Sequence, residues 1–219
     1  METARSRVTG RLAGVRGQKF AVRREELAAQ ATGGLAELGV ARASMRELAQ
    51  YCDISLGVLH YYFDDKNDLV MCCVEQYKAR FVDRYSAIVI EGESGPDLKA
   101  RIGPALTVTL RESPLLHRLW FDLRNQAMFD ARYAERVAEI DASLAALAWR
   151  AATVYARLMS TSVTVPPAVV YAAADSVFQR CLRELFAGDT DAPCRLSIEI
   201  QGLLDEFAGE CSVASTNAE

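Results

Sequence analysis

The sequence predicts an all-α protein of about nine helices. Apolar residues recur at three- and four-residue spacing along most of the chain, and no segment alternates apolar and polar residues as a β-strand does. Short segments rich in glycine, proline, serine and aspartate separate these periodic stretches, as loops between helices do. The chain also has no glycine-rich phosphate-binding loop, so we expect a helical protein rather than an α/β nucleotide-binding fold.

The first helix is expected over residues 19–38. Its apolar residues lie at helical spacing, and they are Phe20, Leu27, Ala31, Leu35 and Leu38. Gly39 follows as the C-cap, because glycine accepts the left-handed backbone that ends many helices.

The next two helices are short and are joined by a tight turn. Ser44 and Glu47 form a capping box, in which a hydroxyl and a carboxylate satisfy the free amides at the start of a helix over residues 45–51. Ser55 is the N-cap of the second helix, over residues 56–62. Two helices with this spacing are typical of a helix-turn-helix motif.

The second short helix carries side chains suited to DNA. Two helical turns are not stable alone, so neighbouring helices must hold this segment in place. Gly57 permits close backbone approach, while His60 and Tyr61 can reach base edges or thymine methyl groups in a major groove. Lys66, which begins the following helix, lies where a phosphate contact is expected.

Residues 20–70 resemble the N-terminal domain of the TetR family of one-component transcriptional repressors. The residues that carry the resemblance are Ser44, Leu48, Ala49, Ser55, Gly57, Tyr61, Tyr62, Phe63, Lys66 and Leu69. Two positions depart from the family pattern, because Val58 stands where threonine is usual and His60 where tyrosine is usual. These changes remove one expected phosphate contact and alter the hydrogen-bonding groups, so the operator sequence does not follow from relatives.

The resemblance implies a sequence-specific transcriptional regulator, most simply a repressor that a small-molecule effector releases from a palindromic operator. An activator of the same fold and a helical interaction module that does not bind DNA remain alternatives. The implied domains are a flexible basic tail (1–17), a helix-turn-helix domain (18–66) and an effector-binding and dimerisation domain (67–219). The expected DNA-binding residues are Ser44, Arg46, Ser55, Leu56, Gly57, Val58, His60, Tyr61, Tyr62 and Lys66.

Charge is distributed unevenly along the chain. The net charge is −4, but residues 1–50 carry nine Lys or Arg against five Asp or Glu, whereas residues 81–219 carry 13 against 19. A basic end and an acidic body suit a protein that binds DNA through its N-terminal part, because local charge governs phosphate neutralisation. For residues 1–17, two interpretations remain: these residues contact DNA, or they form a tail without any role.

Six further helices are expected after the helix-turn-helix motif. The first begins near Asn67 and ends at Gly92; about 25 residues at about 1.5 Å each make it roughly 37 Å long. The others are expected over residues 97–110 with a kink at Pro104, 115–129 after Ser113 as cap, 131–159, 167–186 and 193–207.

The body contains candidates for an effector pocket and for a dimer interface. The effector-binding candidates are Trp120, Phe121, Arg124, Met128, Phe129, Tyr133, Tyr155, Met159 and Phe178. Apolar stripes on the last two helices suggest a homodimer through a four-helix bundle, and they comprise Val170, Ala174, Val177, Cys181, Leu185, Leu196, Ile200, Leu203, Leu204 and Phe207. Each of these residues can equally be an ordinary core residue of one protomer.

Other classes of protein are disfavoured. No apolar run approaches the roughly 18 residues of a membrane span, and the N-terminus lacks the apolar core of a signal peptide, so we expect a cytoplasmic protein. Six scattered cysteines without a CxxC pair, and only two histidines, predict neither a metal site nor a disulfide. We expect no cofactor, and the scarcity of catalytic groups argues against an enzyme.

Overall fold

The computed structural model describes residues 4–39 and 42–209, with side chains from residue 17 onward. Within this part of the chain there are nine α-helices and no sheet; a single isolated bridge joins Val163 and Ala208. The helices are α1 (Ala4–Leu38), α2 (Met45–Tyr51), α3 (Leu56–Tyr62), α4 (Lys66–Glu91), α5 (Gly95–Glu112), α6 (Pro114–Ala127), α7 (Ala131–Leu158), α8 (Pro167–Phe186) and α9 (Ala192–Phe207). The all-α fold predicted from the sequence is therefore confirmed.

The chain divides into two compact units within α4, between Tyr77 and Lys78. The first unit contains α1, α2, α3 and the start of α4. Its core side chains come from all four helices and are Leu27, Leu35, Leu48, Leu59, Phe63 and Leu69. Burying their apolar surface holds two short helices that would not persist alone.

Two glycines let α2 lie close against α1. The ring of Tyr51 packs over Gly33 and Gly34, and a Cβ atom on Gly34 would lie 2.9 Å from Tyr51 Cγ. The Tyr51 hydroxyl donates a hydrogen bond to Glu37 at 3.1 Å. The close approach therefore needs residues without side chains at these two positions of α1.

Helix α1 is longer than the sequence predicted. It begins at Ala4 rather than near Lys19, so residues 4–17, which we had assigned to a flexible tail, continue the helix. Arg, Leu and Ala in this segment favour a helix, and its isolated glycines weaken the helix without ending it. Contact between this segment and DNA stays a prediction.

The second unit begins at Lys78 and contains the rest of α4 with α5 to α9. Its buried side chains include Leu98, Leu110, Trp120, Leu144 and Leu196. Gly103 on α5 faces α9, where a Cβ atom would lie 2.4 Å from Ser197 Oγ. The two helices therefore pack closely at this position.

The helix bounds agree with the prediction from the sequence after α1. Helices α2 and α3 have the predicted ends, and Gly39 has the expected positive φ of 75°. Residue 104 lies inside α5, which continues through the proline, and the predicted kink stays a prediction. Ser113 does precede α6, but its side chain makes no capping hydrogen bond, and its ψ of 40° differs from the extended backbone of a capping residue. None of the described helices is long and apolar enough to cross a membrane.

Candidate nucleic-acid interface and internal cavity

The outward face of α3 carries the residues predicted to read bases. Gly57, Val58, His60 and Tyr61 are exposed on this helix, whereas Leu59 is buried beneath it. Tyr61 is 70% exposed, which is unusual for so large an aromatic side chain in a folded domain. Helix α3 therefore has one face packed against the core of the first unit and another face exposed to solvent.

Two serines fix the starts of the motif's helices. Ser44 Oγ accepts a hydrogen bond from the Glu47 amide at 3.3 Å, and the Ser44 amide donates to the Glu47 carboxylate at 2.8 Å. These hydrogen bonds from Ser44 lower the pKa of Glu47. Ser55 Oγ accepts from the Val58 amide at 3.2 Å, and Asp53 takes a positive φ of 53° in the turn. The predicted capping box and second cap are confirmed.

Two residues of α1 hold the end of α3, and the sequence prediction had not identified this role. The Phe20 ring stacks on Tyr62 with centroids 4.9 Å apart, and it meets Tyr61 edge-on at 5.6 Å. Arg24 Nε donates to the Tyr62 carbonyl oxygen at 3.0 Å, and its guanidinium lies 4.8 Å from the centre of the Phe63 ring. The spacing of four residues between Phe20 and Arg24, which puts them on one helix face, was the available signal.

Arg24 also joins α1 to α4. Its Nη2 lies 2.6 Å from Asp68, whose carboxylate also accepts from the Asp64 amide at 3.3 Å. This charge-assisted contact fixes the chain between α3 and α4. The Arg24 guanidinium therefore fixes the position of the aromatic residues at the end of α3 from the side of α1.

The remaining predicted DNA-binding residues lie around this face. Arg46 is exposed on α2, Leu56 is half-buried at the start of α3, and Lys66 is half-buried at the first position of α4. A Cβ atom on Gly57 would meet only Ser55 Oγ, at 3.9 Å. Packing within the first unit therefore does not require glycine at residue 57.

The second unit contains an internal cavity of about 130 Å³. Its wall is largely aromatic and aliphatic, and helices α4 to α9 all contribute to it. The lining residues are Lys78, Phe81, Tyr85, Val89, Ile102, Leu106, Trp120, Phe121, Leu144, Leu147, Ala148, Ala151, Tyr171, Ala174, Asp175, Phe178 and Ile200.

A buried amine belongs to this apolar wall. Lys78 is only 5% exposed, and its Nζ lies 3.1 Å from His117 Nδ1. The rings of Phe81, Trp120 and Phe178 surround the same amine, with centroids 5.4, 5.6 and 5.9 Å from Nζ. Burial lowers the pKa of Lys78 to about 7, and burial also lowers the pKa of His117 well below its usual range.

Charged groups flank the cavity on one side. Arg124 Nη1 lies 2.7 Å from Asp175, and Arg124 Nε lies 3.7 Å from Asp141. The Tyr171 hydroxyl donates to Asp141, and burial together with this hydrogen bond raises the pKa of Tyr171. These side chains, on α6, α7 and α8, form one connected polar group beside the apolar wall.

The structure brings only part of the predicted effector set together. Trp120, Phe121 and Phe178 line the cavity, and Arg124 contacts it indirectly through Asp175. The other predicted residues do not line it: Tyr133 and Tyr155 are buried elsewhere, while Met128, Phe129 and Met159 are 71%, 89% and 43% exposed. Met128 instead lines a second, more open cavity together with Phe121 and Arg124, just after α6 ends at Ala127.

The sequence prediction missed Lys78, Tyr85, Tyr171 and Asp175 as cavity residues. A signal existed for Lys78, which follows Val74 by four residues and precedes Phe81 by three, and therefore occupies the apolar face of α4. A lysine at a core-facing position is uncommon and points to a specific environment.

Comparison with known proteins supports the N-terminal interpretation and the fold. Residues 27–71 match the family model described as bacterial regulatory proteins, tetR family. No curated protein sequence matches the chain.

Solved structures resemble the chain over most of its length. A TetR transcription regulator from Haloarcula marismortui superposes with a TM-score of 0.69 at 20% identity, covering 85% of this chain and 98% of that one. The regulator FadR from Bacillus subtilis, in complex with stearoyl-CoA, gives 0.64 at 14% identity, covering 81% and 95%. The multidrug-binding protein EbrR, complexed with proflavin, gives 0.54 at 20% identity, covering 83% and 99%. Residues 27–71 thus carry the N-terminal domain of the tetR family of bacterial regulatory proteins, and the described chain has the TetR fold.

Proposed function

We propose that the protein is a sequence-specific DNA-binding transcriptional regulator, and specifically a repressor that a small-molecule effector releases from a palindromic operator. The observation that carries the proposal is the open face of α3, where Tyr61 and His60 point away from the core while Phe20 and Arg24 support the helix from behind. An α-helix with its side chains is about 10–12 Å in diameter, so the seven-residue α3 fits a major groove about 12 Å wide.

The side chains around α3 divide into two kinds of contact. His60 and Tyr61 are proposed to read base edges, and the absence of any close neighbour at Gly57 leaves room for the DNA backbone or a base. Arg46 and Lys66 are proposed to contact phosphates, since neither is needed to fill the apolar core. This division predicts that substitutions at the two groups have different consequences for specificity.

A palindromic operator requires two copies of α3, so we propose a homodimer through α8 and α9. Much of the predicted apolar stripe, including Cys181, Leu196 and Leu204, is buried within one protomer. Val169, Phe186 and Ile198 on the same two helices are nevertheless 46%, 47% and 69% exposed. Sedimentation that shows a stable 24.1 kDa monomer at micromolar concentration would refute the dimer.

The cavity of the second unit is proposed as the effector site. Similar folds hold small molecules, as FadR holds stearoyl-CoA and EbrR holds proflavin. Helix α4 includes both Lys66, a proposed phosphate contact, and Lys78 in the cavity wall. We propose that the effector favours a dimer whose two α3 helices do not match successive major grooves. A hundredfold loss of operator affinity needs only about 2.7 kcal/mol of differential effector binding.

Selection of bound duplexes from a random pool tests the proposal most directly. We expect a palindromic consensus whose affinity falls steeply between two salt concentrations, because phosphate contacts release counterions. A screen of metabolites for release of the selected duplex then tests the effector step. Binding that is independent of salt, or no duplex bound better than random DNA, would favour a helical interaction module instead.

Two features of the proposal depend on the cell. An activator of the same fold differs only in where its operator lies relative to the promoter, and a reporter gene downstream of the selected duplex distinguishes the two. A regulator of this kind acts where the chromosome is, so the proposed location is the cytoplasm.

A further inference from the structure

Lys78 differs from every other lysine of the chain in its surroundings. The chain has four lysines, at residues 19, 66, 78 and 99, and Lys78 is the one that lines the cavity. Lys99 pairs with Asp205, and Lys19 is exposed. Among the described residues no carboxylate lies within ion-pair distance of Lys78 Nζ, which instead faces three aromatic rings and His117 Nδ1.

These surroundings make Lys78 a nucleophile near neutral pH. Because burial lowers its pKa to about 7, a substantial fraction of Lys78 carries the neutral amine near neutral pH. An ordinary lysine, with a pKa of about 10.4, is neutral less than about one part in a thousand at that pH. Only the neutral amine has the lone pair that attacks a carbonyl carbon.

We propose that the cavity captures a small apolar aldehyde as a Schiff base on Lys78 Nζ, which lies in an aromatic wall beside His117. The inference rests on the proposed function in one respect, since the captured aldehyde would be the effector of the same site. The capture itself requires neither DNA nor a dimer.

The charges around the cavity favour a neutral ligand over an acid. Asp175 lines the wall, and its charge is already balanced by Arg124. Asp141 lies on the same side, where it accepts from Tyr171 and contacts Arg124. A ligand carboxylate would add a third negative charge beside these two. An aldehyde adds none, and the protonated imine that it forms keeps the positive charge that Asp175 and Asp141 stabilise on Lys78.

The proposed reaction consumes one proton from solvent and needs no other reagent. The Nζ lone pair forms a bond to the carbonyl carbon, and the carbonyl π electrons move to oxygen. His117 Nδ1, when it carries no proton, accepts one from Nζ and returns it to that oxygen, which gives a carbinolamine. A proton from solvent then protonates the carbinolamine hydroxyl, the nitrogen lone pair forms the C=N bond as the C–O bond breaks, water leaves, and a protonated imine remains on Nζ.

The size of the cavity limits the ligand. An apolar cavity of roughly 150 Å³ accepts a benzene molecule, and the cavity here is about 130 Å³. One aromatic ring or a short alkyl chain is therefore about the largest ligand that the cavity holds. Benzaldehyde is the matching probe, while benzyl alcohol and benzoate have the same ring without an aldehyde.

The test is reductive trapping at pH 7 on the full chain. Protein incubated with benzaldehyde and cyanoborohydride is digested, and the benzyl mass is assigned to each lysine by mass spectrometry. We expect labelling at Lys78 at least tenfold faster than at Lys19, and loss of this preference in unfolded protein. Similar labelling of all lysines in the folded chain, or labelling confined to the exposed ones, overturns the proposal. Benzoate that protects Lys78 better than benzyl alcohol does also overturns it, in favour of an acid-binding cavity.

A matched pair of variants completes the experiment. Lys78→Met removes the amine with little change in volume and should abolish the dominant adduct, whereas Lys19→Met should leave it unchanged. Should Lys78→Met not fold, the labelling ratio in the unmutated chain still decides the question. If Lys78 is trapped but the chain binds no duplex better than random DNA, the proposed regulatory function is refuted and this inference stands. If compounds without an aldehyde release the selected duplex and Lys78 is not trapped by benzaldehyde, this inference is refuted and the proposed function stands.

Discussion

Replacing Tyr61 with alanine should separate DNA recognition from folding. The Tyr61 side chain is 70% exposed, and among the described residues its ring packs edge-on against Phe20, with centroids 5.6 Å apart, and against Tyr62, with centroids 5.0 Å apart. Buried aromatic pairs contribute about 0.5–1.5 kcal/mol each, and exposure reduces this value, so Tyr61→Ala should cost less than about 1 kcal/mol of folding free energy. A side chain that reads a base contributes about 1–3 kcal/mol to specific binding.

The two quantities are measured separately. Urea denaturation gives the stability of Tyr61→Ala, and fluorescence anisotropy at fixed salt gives its affinity for the selected operator and for a scrambled duplex. We expect a loss of about 5- to 150-fold on the operator and little change on scrambled DNA. Tyr61→Phe keeps the ring and shows whether the hydroxyl or the ring makes the contact. Equal losses on both duplexes, or no loss on either, would refute the assignment of Tyr61 to base reading.

Three further predictions concern the phosphate contact, the packing of the first unit and the buried lysine. Lys66→Ala should weaken binding to operator and scrambled DNA alike and should reduce the salt slope by about 1 in anisotropy titrations; a loss on the operator alone contradicts it. Gly34→Ala should destabilise the chain by about 1–3 kcal/mol in urea, because its Cβ would meet the Tyr51 ring at 2.9 Å, whereas Gly17→Ala on the same helix meets nothing within 4 Å and should not destabilise it. Because the pKa of Lys78 is lowered to about 7 in the folded chain, the unfolded chain binds more protons between pH 7 and about 10, so stability should rise with pH in that window by at most about 1.4 kcal/mol per pH unit. Lys78→Met should remove this slope in denaturation curves, and an unchanged slope would contradict the lowered pKa of Lys78.

The helix-turn-helix motif was predictable almost to the residue. Caps are local, because a serine side chain meets the backbone three residues away, and Ser44 with Glu47 therefore fixed the start of α2. Ser55 did the same for α3. Helix α1 has no such cap to mark its start in the sequence, and it extends to Ala4 because no strong breaker interrupts its N-terminal half.

The cavity was only partly predictable. Trp120, Phe121 and Phe178 were chosen for their chemistry and do line it, but Phe129, chosen on the same ground, is 89% exposed. Helical periodicity gives the face on which a residue lies, and it does not tell whether the helix has already ended or which helix that face meets. Residues that approach from separate helices, such as Lys78 and His117, which are 39 positions apart, leave no joint pattern in the chain.

The order of residues was enough to determine an all-α chain, the two short helices with their caps and the outward set of side chains on α3. These features depend on interactions between residues at most four positions apart, so the residue types at neighbouring positions are enough to predict them. Tertiary packing alone decided that Arg24 and Phe20 support α3, that Gly34 receives Tyr51, and that a lysine lies buried among aromatic rings. Those contacts join distant segments, and their strength comes from excluding water from a space that several helices enclose together.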